Sequence, residues 1–272
     1  MSDGETGATD PEGDHPSPAD AFATWAVSEP VPLDRAALSI AAHCRPEGVD
    51  EAAALAELDR LGAAVREPTP NAVVELLFDD EGFGPNRGRF ADPANSYLDL
   101  VVSRRLGIPI TLAVVTIEVA RRAGVVLHGV GMPGHFLVGT PAPEIFIDAF
   151  DGRFIDHAGA VEMFTRFEPR QPFDASFLQP TPPGGILLRM LNNLRTLHIR
   201  QPDAPSLVAV LELLTRLPGC PLDEFMRLGQ ALATLGRPDE GARTLEAAAE
   251  RFGGSDAEHL NNAAVRLWAQ LN

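Results

Sequence analysis

Apolar positions recur along this chain with two periods, and the change of period divides it. From Leu33 the spacing is three to four residues, the period of a helix. Leu33-Asp-Arg-Ala-Ala opens a first helix ending near Cys44, and Ala52, Leu55, Leu58 and Leu61 mark a second over 49–65. A third is expected over 72–78. Residues 79–93, rich in Gly, Asp, Pro and Asn, read as a loop. Asn95-Ser-Tyr-Leu resumes a helix to about Arg105, and Gly107-Ile108-Pro109 breaks it. Pro109 suits the first turn of the next helix, where a missing N–H costs nothing. That helix, 109–123, stops at Gly124. It carries Ile110, Leu112, Val114, Val115, Ile117 and Val119 on nearly every side, so it is expected to be buried rather than amphipathic.

Past Gly124 the pattern shortens. Runs at 125–132, 135–139, 144–150 and 153–155 are β-branched or aromatic, separated by Pro-Gly, Thr-Pro-Ala-Pro and Asp-Gly turn signals. Asp151-Gly152 is a good hairpin turn. Helices followed by an antiparallel meander define an α+β fold: a helical layer, a buried central helix and a small antiparallel sheet. After a Pro-rich crossing at 171–185 the chain reads as helical to its end, with strongly apolar segments at 186–199 and 207–217. Two further helices flank Leu235-Gly236-Arg237-Pro238, with small Gly229, Ala231 and Ala242 where helices must approach. That layout fits either one tetratricopeptide-like unit or a plain helical hairpin packed on the main domain. The expected division is a disordered tail over 1–30, an α+β domain over 31–180 and a helical region over 181–272.

Composition narrows the function classes. Residues 1–20 hold six acids, no Lys or Arg and many Gly, Pro and Ser, too little apolar surface to offset the entropy of ordering. The net charge of −16 argues against nucleic acid as a partner. All 22 basic residues are Arg, which reads as compositional bias rather than a demand for guanidinium geometry. Two cysteines, Cys44 and Cys220, lie far apart in no metal-ligand spacing, so a reducing cytoplasm is expected and a disulfide framework is not. The first residues lack the basic and apolar regions of a signal peptide, and the most apolar stretch, 108–120, is interrupted by Glu118 and too short to span a bilayer. No membrane association and no cofactor are expected.

The chemistry-bearing segment is Pro133-Gly134-His135-Phe136-Leu137-Val138, followed by Ile145-Phe146-Ile147-Asp148. A His at the start of one strand and an Asp near the end of the next can meet across a hairpin. Asp148 would then orient His135 and stabilise its protonated form, the geometry of a general base. The same pair also makes sense as a buried, hydrogen-bonded core contact. A metal site from His128, His135, Asp148, Asp156 and His157 is a further arrangement, though no tight spacing supports it. Asn95, Tyr97 and Asn193 are candidates to line a polar cleft and Arg105 to bind, with Arg104-Arg105 as a carboxylate clamp; helix capping and buried hydrogen bonding explain them equally well.

Taken in order, Leu77-Phe78, Gly82-Phe83, Asn95-Ser96-Tyr97-Leu98, Arg104-Arg105-Leu106-Gly107-Ile108-Pro109-Ile110-Thr111-Leu112, Pro133-Gly134-His135-Phe136, Asp148-Ala149-Phe150-Asp151-Gly152 and Leu188-Arg189-Met190-Leu191-Asn192-Asn193-Leu194-Arg195 resemble the bacterial SirB-type proteins. The likeness covers about residues 33–270. It implies a transglutaminase-like core of the papain-like superfamily, with Cys, His and Asp in that chain order, joined to C-terminal tetratricopeptide-type helices. His135 and Asp148 match the second and third positions of that triad. The first is missing: no Cys lies between Cys44 and Cys220, and the nearest hydroxyl at the start of the central helix is Thr111. A Thr hydroxyl is a weak nucleophile without an efficient adjacent base. Two functional readings follow. One is a non-catalytic scaffold or adaptor that binds a protein partner through its C-terminal helices. The other is an amide or peptide hydrolase, or a deamidase, using Thr111 or Cys44.

Overall fold

The computed structural model describes residues 16–45 and 47–271. Four helices open it: α1 (Pro18–Ala26), α2 (Leu33–Cys44), α3 (Glu51–Ala64) and α4 (Pro70–Val74), the last continued by a π-helical turn at Glu75–Asp80. Helix α1 falls within the segment expected to be a disordered tail over 1–30; the first fifteen residues of that tail lie outside the described ones. Ser17 caps the helix by accepting from the Asp20 amide, Pro18 sits in its first turn, and Ala19, Phe22 and Ala26 are buried. Phe22 is fully buried in the main core, so a single aromatic anchor offsets the polar composition that precedes it.

The loop after the π-turn carries a two-residue strand β1 (Gly84–Pro85), which pairs in parallel with β2 (Leu106–Gly107) beyond α5 (Leu98–Arg104). Then comes α6 (Pro109–Arg122), which packs against α2, α3, α4 and α5. Its residues from Ile110 to Thr116 are all buried, the all-round burial its sequence requires. Even Glu118 is buried, held by Arg121 and Arg122, with Asp34 of α2 closing the cluster on the same guanidinium groups.

Four antiparallel strands follow in simple meander order: β3 (His128–Val130), β4 (Leu137–Gly139), β5 (Ile145–Asp148) and β6 (Arg153–Asp156). Val138 faces Ile147 across β4 and β5, and Asp148 faces Arg153 across the Asp151-Gly152 turn. The sheet lies on α6 through β3 and β4. Helix α7 (His157–Phe167), which the alternation of polar and apolar residues did not reveal, begins directly at the end of β6, capped by Asp156 on the Gly159 amide.

Five helices complete the chain: α8 (Pro183–Arg200), α9 (Ala204–Leu214), α10 (Leu222–Thr234), α11 (Pro238–Phe252) and α12 (Gly254–Trp268), each packed on the next. The boundary expected at 180/181 is not a packing boundary. Ile186, Leu191 and Leu194 of α8 and Leu211 and Leu214 of α9 belong to the same apolar core as α2 and α6. Separate cores form elsewhere: one between the sheet and α7, from Met132, Leu137, Phe146 and Phe164, and one further on, from Phe225, Leu245, Leu260 and Leu267. Where α10 meets α11 the backbones nearly touch: a Cβ on Gly241 would stand 2.6 Å from the Gly229 carbonyl oxygen.

Candidate functional site

His135 is aimed by a turn. The His135 amide donates to the Met132 carbonyl at 3.2 Å, closing Met132-Pro133-Gly134-His135 just before β4. Gly134 adopts φ +75° there, and a Cβ on it would stand 2.5 Å from Cβ of Phe167, so both backbone sign and space require glycine. Phe167, at the end of α7, stacks on the imidazole at 5.4 Å with 8° between planes, and Phe150 meets it edge-on at 6.1 Å. From the end of β5, Asp148 Oδ1 accepts from His135 Nε2 at 2.9 Å and from the Phe150 amide at 3.2 Å. Asp148 is fully buried, and its Oδ2 makes no hydrogen bond, with Arg153 Nε 3.8 Å away on the surface side. A carboxylate so placed fixes the ring proton on Nε2 and leaves Nδ1 as the free ring nitrogen.

The imidazole forms part of the wall of a cavity of about 380 Å³. The first turn of α6 borders the same cavity with Ile108, Pro109 and Ile110. Helix α8 supplies a third side through Arg189, Asn193 and Arg200, and the loop before α5 adds Phe90, Asp92 and Ser96. Arg189 is half-buried and donates to the carbonyls of Gly131 and His135, both at 3.0 Å. Burial pulls its guanidinium below the usual range.

Thr111 is not presented to this cavity. It is fully buried, its hydroxyl donates to the Asn95 carbonyl at 2.7 Å, and it accepts from the Ile108 amide at 3.2 Å, the capping role at the start of α6. Cys44 lies at the end of α2, buried, and burial together with the charge of Glu212 pushes its thiol up to about 12. A thiol in that state is the opposite of an activated nucleophile.

Asn95, Tyr97 and Arg105 also lie outside the cavity wall. Asn95 is fully buried and ties the 86–95 loop together: its amide donates to the Arg89 carbonyl at 2.7 Å, and its Oδ1 accepts from Asn86 and Arg104. Tyr97 precedes α5 and packs under the Arg45 guanidinium at 5.8 Å. Arg105 ends α5 in the left-handed conformation, φ 61°, and joins Glu57 of α3 to Glu81. The five residues of the metal arrangement are not gathered either. His128 and His157 border a different cavity from His135, and no group of three or more potential ligands is found among the described residues.

Asn193, expected to line a polar cleft, does border this cavity; the lining residues that sequence reasoning passed over include Ser96, Arg189 and Arg200. The signal was present: Arg189, Asn193, Thr196 and Arg200 fall at helical spacing and put a polar row along one side of the helix.

A helix N-terminus that shares a cavity with a His-Asp pair on an antiparallel sheet fits the transglutaminase-like superfamily. The chain belongs to that superfamily: its family model matches residues 47–192. Among curated proteins, a UPF0162 protein of Xylella fastidiosa is 44% identical over 137 residues, 47% of this chain and 48% of that protein. A UPF0162 protein of Pseudomonas aeruginosa is 36% identical over 179 residues, 62% of this chain and 66% of that protein. Human F-box only protein 21 is 31% identical over 137 residues, 48% of this chain and 22% of that protein. The chain therefore spans about half the length of the first of these relatives. No solved structure matches it. No described helix is long and apolar enough to cross a membrane.

Proposed function

We propose that this chain is a non-catalytic transglutaminase-like module, a scaffold or adaptor that binds rather than transforms what enters its cavity. One observation carries the reading: the helix turn that shares the cavity wall with His135 presents Ile108, Pro109 and Ile110, and none of them bears a nucleophile. The His135–Asp148 pair then serves as a buried polar brace, worth keeping because removing either partner strands the other in a dry site. Its C-terminal helices supply a protein-binding surface. Support comes from the cavity of about 470 Å³ bordered by Ile199, Leu207, Leu211 and Met226, and from Ile199 and Leu188, 51% and 44% exposed. Two free cysteines suit a reducing compartment such as the cytoplasm.

A second reading has its own observation. Ser96 lines the same cavity as His135, and its hydroxyl has no hydrogen-bond partner among the described residues. As an amide hydrolase the chain would use Ser96 rather than Thr111 or Cys44, with His135 as base. Intact-mass measurement after exposure to a fluorophosphonate separates the two. The binding module gives no adduct; a stoichiometric adduct on Ser96, abolished in His135→Ala, would overturn it.

A further inference from the structure

We propose that the cavity beside His135 receives the carboxyl-terminal residue of a peptide or an N-acylated amino acid, a deepening that rests on reading this cavity as a binding site. Three separate features of its wall match the three groups such a ligand carries.

The first is the imidazole itself. His135 is only 5% exposed, Asp148 occupies its Nε2, and its Nδ1 has no hydrogen-bond partner among the described residues. A neutral ring with the proton on Nε2 offers Nδ1 as an acceptor. It therefore asks for a donor, and the N–H of an acylated residue is one.

The second is the cationic side. Arg189 reaches only main-chain carbonyls, with no carboxylate of the described residues within 4.0 Å, and its charge is half-buried without a counterion. Arg200, about three turns further along the same face by the 3.6-residue period, likewise has no ion pair among the described residues. The start of α6, a helix of 14 residues, borders the same cavity and adds its positive end. Asp92 is the one acid of the wall among the described residues, and Arg104 lies 3.8 Å from it. In a chain of net charge −16 this is a local excess of positive charge, suited to a carboxylate gripped by a guanidinium fork.

The third is apolar. Phe90, Ile108, Phe136 and Leu197 border the same space, so the group between N–H and carboxylate should carry a hydrophobic side chain. A volume of about 380 Å³ is adequate for one residue of this size with part of its neighbour.

The test uses N-acetyl-leucine as probe on the full chain, followed by calorimetry and by the ring nitrogen signals of the histidines. Saturable binding is expected, with a shift of the His135 signals. N-acetyl-leucinamide, which lacks the charge, 4-methylpentanoate, which lacks the N–H, and acetate, which lacks both N–H and side chain, should each bind about tenfold more weakly or not at all. Arg189 also braces two carbonyls, so Arg189→Lys is paired with Arg200→Gln, a surface change with no internal partner to lose. Both should weaken N-acetyl-leucine while the melting curve of Arg200→Gln stays that of the parent. Equal binding of the amide, of 4-methylpentanoate or of acetate, or undiminished binding by both variants, overturns the proposal. Tighter binding of acetyl-Ala-Ala-Leu supports it with a chain terminus as the source; weaker binding supports it with a free N-acylated amino acid. Failure of the probe with no fluorophosphonate adduct sinks this inference alone, whereas an adduct on Ser96 sinks the non-catalytic reading.

Discussion

The Thr111 hydroxyl donates to the carbonyl of Asn95 at 2.7 Å, and through that contact the start of α6 is bolted to the loop that precedes α5. Both residues are fully buried. A group with this work to do holds the cavity wall in place rather than acting on its contents.

Thr111→Val keeps the shape and removes the hydroxyl, leaving the Asn95 carbonyl and the Ile108 amide without their partner. A loss of about 1–3 kcal/mol is expected in urea unfolding, the usual result of stranding buried polar groups. Thr111→Ser should recover most of it. An unchanged midpoint in Thr111→Val would remove the cap from this account.

The first turn of α6 borders the cavity of His135 and bears no nucleophile, so installing one there probes the geometry directly. In a Cys220→Ser background, Pro109→Cys should react with iodoacetamide near neutral pH. A helix N-terminus and an adjacent imidazole both favour the thiolate. Adding His135→Ala should slow the reaction. If the introduced thiol reacts no faster than an unactivated one, position 109 and His135 do not share a working site.

Gly241→Ala opposes two effects. Alanine gains about 1 kcal/mol of helix propensity over glycine. Its Cβ, however, would stand 2.6 Å from the backbone oxygen of Gly229, which cannot swing away, and 2.9 Å from Cδ1 of the buried Leu267. Overpacking of about 1–3 kcal/mol should win, and thermal unfolding should show α10–α12 loosening. A stabilised variant would mean that α10 and α11 can separate at little cost.

Cys44 gives a pH dependence with a definite sign. Its thiol is raised from 9.0 to about 12 by burial first and the charge of Glu212 second. Between those values the unfolded chain has released the proton and the folded chain has not. Stability should therefore fall as pH rises through that window, and be unaffected by this group below it. Cys44→Ala lowers stability at every pH through its lost volume, but its stability should decline less steeply above about pH 9. Parallel slopes for the two proteins would refute the assignment.

The α+β order, the buried helix and the hairpin that joins His135 to Asp148 were legible because each rests on local pattern. Helix period, strand alternation and turn residues carry them. The cavity was less so. Asn95, Tyr97 and Arg105 cluster near the central helix in sequence, but their side chains fasten loops and helix ends. Arg189 and Arg200 come from more than fifty residues past His135, and only the packing of α8 brings them to it. Helix α1 was hidden by the acidic run before it, because composition averages over a window that one buried Phe22 overrules. The parallel pairing of β1 with β2 spans two residues a strand, too short for any periodicity to show.

The continuity of the core across α8 and α9 separates two meanings of domain. The inherited segment, 47–192, stops in the middle of α8. Cutting the gene there would bare the faces of α2 and α6 that Leu194, Leu211 and Leu214 cover, and would discard Phe22 from the other side. A fragment trimmed to the shared sequence should be sticky and unstable, while one running from α1 through α10 keeps every buried residue of that core, including Leu228 and Leu232. For this chain, the stretch matched to its family is smaller than the stretch that shares one apolar core.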